Sequence, residues 1–358
     1  MTQMILTGLL CGALLGFVIQ RGRFCLTGGF RDMYIAKDNR MLYALLIAIA
    51  IQSVGVYALI ETGVIEYSAG QIPWVATIIG AYVFGIGIVL AGGCATGTWY
   101  RAGEGLIGSW IALAGYMLMS AVMKTGALKP VNSSLKDTAV TNNSIPDTFG
   151  LNVWLFIALL VVITLFFVIR TLRKPKVKIP SLPPKRQGLA HLLFEKRWHP
   201  FFTAILVGLI AILAWPLSEA TGRNSGLGIT TPSANVLQYL VTGDDSKYIN
   251  WGVFLVLGIL LGSFIAAKAS REFRFRVPDA KTAVSSFFGG ILMGFGASWA
   301  GGCTIGNGLV QTAMMTWQGW IALAFMILGT WTASYFMFVR PRARAAKQRA
   351  ATLQATTA

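Results

Sequence analysis

Nine runs of 17 to 21 predominantly apolar residues follow one another along the 358-residue chain, at 4–20, 41–60, 74–91, 105–123, 153–170, 201–217, 251–267, 283–300 and 319–339. A helix of about 20 such residues crosses the hydrocarbon core of a bilayer. Charged residues make up only 12% and hydrophobic ones 55%, whereas a soluble domain carries about 25% charged residues. Those values exclude a soluble enzyme, a disordered chain and a collagen. The expected fold is an all-α integral membrane protein with about nine transmembrane helices. The first run has no basic residue before it and no small-residue cleavage site after it, so it is expected to stay as a span and not to be removed as a signal peptide.

The net charge of +17 would suggest a nucleic-acid partner in a soluble protein. The placement of the charges argues against one. Of the 30 lysines and arginines, 25 fall in 21–40, 171–198, 268–281 and 340–349 or are Arg101 and Arg170; the alternate segments hold only Lys124, Lys129, Lys136, Arg223 and Lys247. Basic loops stay in the cytoplasm. The expected orientation therefore has the N-terminus outside and the C-terminus in the cytoplasm, which requires an odd number of spans. Trp74, Trp110, Trp251, Trp317 and Trp320 lie near span ends, as interfacial belt residues do.

An internal repeat organises the chain. GIGIVLAGGCATG at 85–97 recurs 209 residues later as GFGASWAGGCTIG at 294–306, with AGGC identical in both. A weaker copy surrounds Cys25. In all three, a small residue lies thirteen before the cysteine (Gly12, Ala81, Gly290), a glycine nine before (Gly16, Gly85, Gly294) and a glycine three after (Gly28, Gly97, Gly306). Small residues spaced by four share one helix face and let a neighbouring helix approach closely. Given the alternation of spans, 74–91 and 283–300 run in opposite directions, so the repeat is inverted, an arrangement typical of transporters. The expected division is 1–123 as the first half, 124–198 as a connecting span (153–170) with a basic, proline-bearing linker, 199–339 as the second half, and 340–358 as a basic tail.

Four stretches, 24–33, 94–103, 226–240 and 303–316, are too short to cross a bilayer and too apolar for ordinary loops. They are expected to be re-entrant half-helices, a form tolerated at membrane depth only inside protein or along a polar path. Half-helix N-termini present free amides that favour anions. No lysine or arginine adjoins Cys94 or Cys303 in the glycine turns, so the amides around Gly92, Gly93, Gly301 and Gly302 are expected to offset negative charge. Thr96, Thr304 and Asn307 are further polar candidates, or plain helix caps. Arg21, Arg23 and Arg101 are read as cytoplasmic anchors that could also attract a departing anion.

Cys11, mid-helix and outside any CxxG, reads as a small hydrophobe. Cys25, Cys94 and Cys303 share one place in a repeated turn and are the functional candidates. With only His191 and His199 available, both in the basic linker, they make a poor metal set and no catalytic triad. A neutral thiol is a weak donor, better suited to a soft sulfur-bearing anion than to sulfate oxygens, and an apolar setting favours the neutral form.

The motifs QRGRFCLTGGFRD (20–32), AGGCATGTWYRAGEG (91–105) and AGGCTIGNG (300–308), in this order across the whole chain, resemble the YeeE/YedE sulfur-transport family. That resemblance implies a bacterial inner-membrane permease, hourglass in shape, passing thiosulfate through a constriction between cysteines matching Cys25, Cys94 and Cys303, without a cofactor. It also implies a small TusA-like sulfur-carrier protein as cytoplasmic partner. Two alternatives remain: a permease for another sulfur or selenium oxyanion, and a membrane sulfurtransferase that forms a cysteine persulfide.

Overall fold

The computed structural model describes residues 1–137, 140–173 and 187–357; the prolines of the basic linker, Pro175, Pro180, Pro183 and Pro184, lie outside them. Twelve of the helices among the described residues frame the site: α1 (Thr2–Gly22), α2 (Leu26–Ile35), α3 (Arg40–Glu61), α4 (Trp74–Leu90), α5 (Ala95–Gly103), α6 (Ile107–Lys124), α7 (Val153–Leu172), α8 (Pro200–Glu219), α9 (Thr230–Thr242), α10 (Trp251–Ala269), α11 (Ala280–Trp299) and α12 (Trp317–Ser334). Strand β1 (Gln71–Pro73) pairs antiparallel with β2 (Val140–Asn142), a small ribbon joining two loops. Among the described residues, eight helical stretches are long and apolar enough to cross a membrane, not nine. The remaining expected span forms α11, 20 residues long, whose Ser285, Ser286, Gly289, Gly290, Gly294, Gly296 and Ser298 lower its hydropathy. It packs against both α4 and α6, so much of its surface meets protein and needs no apolar bulk.

Helix directions follow from which residues meet. Along α1 and α10, Gly8 faces Trp251 and Phe254, Gly12 faces Leu255 and Gly258, and Gly16 faces Ile259, so the two are parallel. Helices α3 and α8 are also parallel, with Gly208 against Ala48 and Ile51 and Gly55 against Ile212. The same holds for α6 and α11, where Gly290 meets Ala112 and Gly294 meets Tyr116 and Ser120. Helix α4 runs antiparallel to α11: Gly80 meets Gly296 and Ala300, whereas Gly87 meets Gly289 and Met293. The two helices that lead into the AGGC turns thus point in opposite directions.

Neighbour relations obey the same exchange. Helix α1 packs on α10 and α8 on α3; α11 packs on α6 and α4 on α12; α2 touches α3 and α12 while α9 touches α10 and α6. Swapping the two halves maps each contact onto its partner. Helix α7 stands outside this scheme, packing on α3, with Leu155, Leu159, Val162 and Phe166 exposed. A bilayer covers such a face at no cost, whereas water would not.

Three of the expected half-helices are α2, α5 and α9. The fourth differs: 303–316 winds as a π-helix over Gly306–Gln311, with the amides of Leu309 and Val310 both donating to Ile305 O, at 3.1 and 2.9 Å. Such π turns occur mostly as short pieces, frequently at functional sites.

A β-carbon at Gly12 or Gly290 would strike the backbone of Leu255 or Ala112. Gly12→Val and Gly290→Val are each expected to lower stability by about 2 kcal/mol or more through overpacking. Leu159→Ala, on the exposed face of α7, should change the melting temperature of the detergent-purified protein far less; equal losses would disprove the close helix crossings.

Candidate functional site

Each repeated cysteine stands where a long helix has ended and a short one begins. Gly92 and Gly301 adopt φ of 70° and 75°, the left-handed region that glycine enters without strain, and this ends the runs of α4 and α11 just before the cysteines. Cys94 then caps α5, its Sγ accepting from Gly97 N at 3.4 Å. Cys25 occupies the corresponding N-cap of α2, and Cys303 leads into the π turn, its carbonyl accepting from Asn307 N at 2.8 Å. All three thiols are free and buried. Cys94 lies within electrostatic reach of both Cys25 and Cys303, with the Thr304 hydroxyl beside it. Cys11 is buried midway along α1, away from any turn.

Two buried hydroxyls near these cysteines, Thr27 and Thr96, have no hydrogen-bond partner among the described residues. An unpaired buried hydroxyl costs free energy, and a passing oxyanion is a natural acceptor for it. Sequence reasoning singled out Thr96 and Thr304 but missed Thr27; the shared spacing, Cys25-Leu-Thr27 beside Cys94-Ala-Thr96, was the available signal.

Asn307 has a different place from the one expected. Its Nδ2 donates to Ala300 O at 2.8 Å and Gly302 O at 3.2 Å, while Oδ1 accepts from Gln318 Nε2 at 3.1 Å; Gln318 Nε2 also donates to Ala300 O at 3.0 Å. Asn307 therefore braces the Gly301–Gly302 turn, with Gln318 as its helper. The matching turn in the first half is braced by a cation. Arg101 folds back from α5 so that Nη1 donates to Gly92 O and Nη2 donates to Cys25 Sγ at 3.3 Å. Arg101, read from the sequence as a cytoplasmic anchor, reaches the first glycine turn although it lies seven residues beyond Cys94.

Arg21 and Arg23 are likewise held. Arg23 pairs with Glu104 at 2.6 Å and Glu272 at 2.7 Å, Arg21 lies 3.6 Å from Glu272, and Gln20 Nε2 donates to Glu272 at 2.7 Å. The carboxylates tie the ends of α1, α5 and α10 together and neutralise these arginines as lures for an anion.

A cavity opens toward each end. One, of about 890 Å³, is lined by Cys25 with Arg23, Arg40, Lys196 and Arg197, at the end carrying most of the basic segments. The other, of about 470 Å³, reaches Gly301, Gly302 and Gly306 from the opposite end, with Arg223 and Thr230 in its wall. Cys94 lies between.

Antiparallel halves, glycine turns before buried thiols and a cavity toward each end define a multi-pass membrane protein. A family model described as sulphur transport matches residues 21–332. The chain is 69% identical over 345 residues to "Thiosulfate transporter TsuA" of Escherichia coli K12, covering 96% of this chain and 98% of that one. It is 34% identical over 354 residues to "Thiosulfate transporter TsuA" of Spirochaeta thermophila, with 94% and 100% covered. A shorter match, 37% over 117 residues, joins it to "Probable transporter YedE" of E. coli. The chain belongs to the sulphur-transport family.

If Asn307 acts by bracing, Asn307→Ala removes the donor to the buried Gly302 carbonyl and is expected to lower stability by about 1–3 kcal/mol. Thermal unfolding of the purified protein checks this; an unchanged melting temperature with lost anion binding would instead make Asn307 a direct ligand.

Proposed function

We propose that this protein imports thiosulfate across the bacterial inner membrane into the cytoplasm, for sulfur assimilation. The observation that carries the reading is the placement of three free thiols in series. The Cys303 turn opens on one cavity, Cys25 lines the other, and Cys94 lies within reach of both. The anion then meets Cys303 first, Cys94 next and Cys25 last. The halves 1–123 and 199–339, joined through the span at 153–170, supply the two faces of the path. The amides at Gly92, Gly93, Gly301 and Gly302 and the hydroxyls of Thr96 and Thr304 offset the dianion's charge, and the thiols contact its soft terminal sulfur. The basic end faces the cytoplasm, where a TusA-like sulfur-carrier protein receives the product; the N-terminus is periplasmic.

One contact favours a second reading. The Arg101 guanidinium donates to Cys25 Sγ and so places a cation beside a sulfur nucleophile. A Cys25 thiolate attacking the sulfane sulfur would form a persulfide and release sulfite, making the protein a sulfurtransferase as well as a conduit.

Growth on thiosulfate as sole sulfur source, with uptake of 35S-labelled thiosulfate, tests the assignment. Cys11→Ala is expected to retain uptake, while alanine at Cys25, Cys94 or Cys303 lowers it at least tenfold; equal effects at all four would end the relay. A covalent sulfur adduct on Cys25 by intact-protein mass spectrometry, with sulfite left behind, would decide for the second reading. Maleimide labelling of single cysteines placed near residues 1 and 345 is expected to find them on opposite sides of the membrane.

A further inference from the structure

The cavity opposite the basic end contains a cation, Arg223, that has no carboxylate partner among the described residues. Arg223 Nη1 donates to Ser218 Oγ at 3.0 Å, Gly226 O at 3.1 Å and Ser225 O at 3.3 Å, and the guanidinium lies over the Trp251 ring at 5.8 Å. Every one of these partners is uncharged. At the basic end, by contrast, Arg21 and Arg23 have Glu104 and Glu272. Burial pushes the Arg223 pKa down to about 10, so the guanidinium is still charged at neutral pH but poorly solvated. A counter-ion in the cavity would relieve that cost.

The same wall supplies more donors. Trp215 is 2% exposed and its Nε1 has no hydrogen-bond partner among the described residues. The indole N–H faces the 226–231 loop, since a β-carbon on Gly226 would come within 2.5 Å of it. Thr230 and Thr231, at the start of the 13-residue α9, also line the cavity, where the first amides and the positive end of the helix are unmatched. A guanidinium, a buried orphan N–H and a helix N-terminus thus share one cavity, and its lining contains no carboxylate.

We propose that Arg223, the Trp215 indole and the amino end of α9 form a capture site for a doubly charged sulfur oxyanion, directly before the Cys303 turn. The proposal rests on the transport reading for its substrate and adds the place where selection begins. The donors here read charge and oxygen atoms, not a terminal sulfur. The site therefore accepts sulfate as well as thiosulfate, and discrimination falls to the thiols behind it. Two successive filters follow: one for dianions at Arg223 and one for soft sulfur at Cys303.

The test is isothermal titration of the full-length protein in lipid nanodiscs with sodium thiosulfate and, separately, sodium sulfate, alongside uptake kinetics. Wild-type protein is expected to bind both anions. Arg223→Gln should weaken both by at least tenfold, Arg223→Lys should recover most of the loss, and Trp215→Phe, which removes only the N–H donor, should weaken both about tenfold with an unchanged melting temperature. In uptake, Arg223→Gln should raise KM and leave the maximal rate near wild type. Wild-type binding of neither anion, or binding by both Arg223→Gln and Trp215→Phe at wild-type strength, overturns the capture site whatever the uptake result. Arg223-dependent binding in a protein that carries no thiosulfate would uphold the site and sink the transport reading.

Discussion

The antiparallel crossing of α4 and α11 is the constraint from which the rest of the structure follows. Gly80 and Gly87 on one helix meet Gly296 and Gly289 on the other at backbone distance, and van der Waals packing is the main force that joins helices inside a bilayer. Because each of these helices leads into an AGGC turn, their opposed directions send one turn toward each end of the molecule. Parallel packing would have placed both turns at one end and left no path with two mouths.

Inversion makes the halves alike in frame and leaves them free to differ in chemistry. Both turns need bracing, since a carbonyl left unpaired at membrane depth is costly. The second half uses the neutral pair Asn307 and Gln318; the first uses Arg101, which also contacts Cys25. The two mouths differ again. Arg21 and Arg23 at the basic end are paired with carboxylates, whereas the contacts of Arg223 opposite are to neutral groups. One mouth therefore presents a cation among neutral groups beside a neutral turn, and the other leads to a thiol held by a guanidinium.

Much of this was legible in the sequence, because spans and repeats are written in local composition. The AGGC copies, their glycines at fixed distances and the alternation of basic segments predicted helix positions, relative directions and the place of three cysteines where short helices begin. Side-chain reach was not legible. The Arg101 contact depends on how α5 folds back, and Arg23 finds Glu104 and Glu272 from 81 and 249 residues away, so no spacing rule exposes them. Asn307 read as a polar group in a binding turn because sequence gives a residue's neighbourhood but not the direction of its amide. The eight-span count has a comparable cause: hydropathy measures solvation by lipid, and α11 is solvated largely by its neighbouring helices.

Helix α7 illustrates a different economy. It touches the exchanged framework along one side only and contributes no group to the path, yet without it the second half could not enter the membrane upside down. Its role is that of an orientation adaptor, and its specification is correspondingly loose: length and greasiness suffice. Sequence drift should be fastest there and slowest where α4 and α11 cross, so the joint between the duplicated modules is also the position at which a circularly rearranged or two-piece version of this fold would be most easily built.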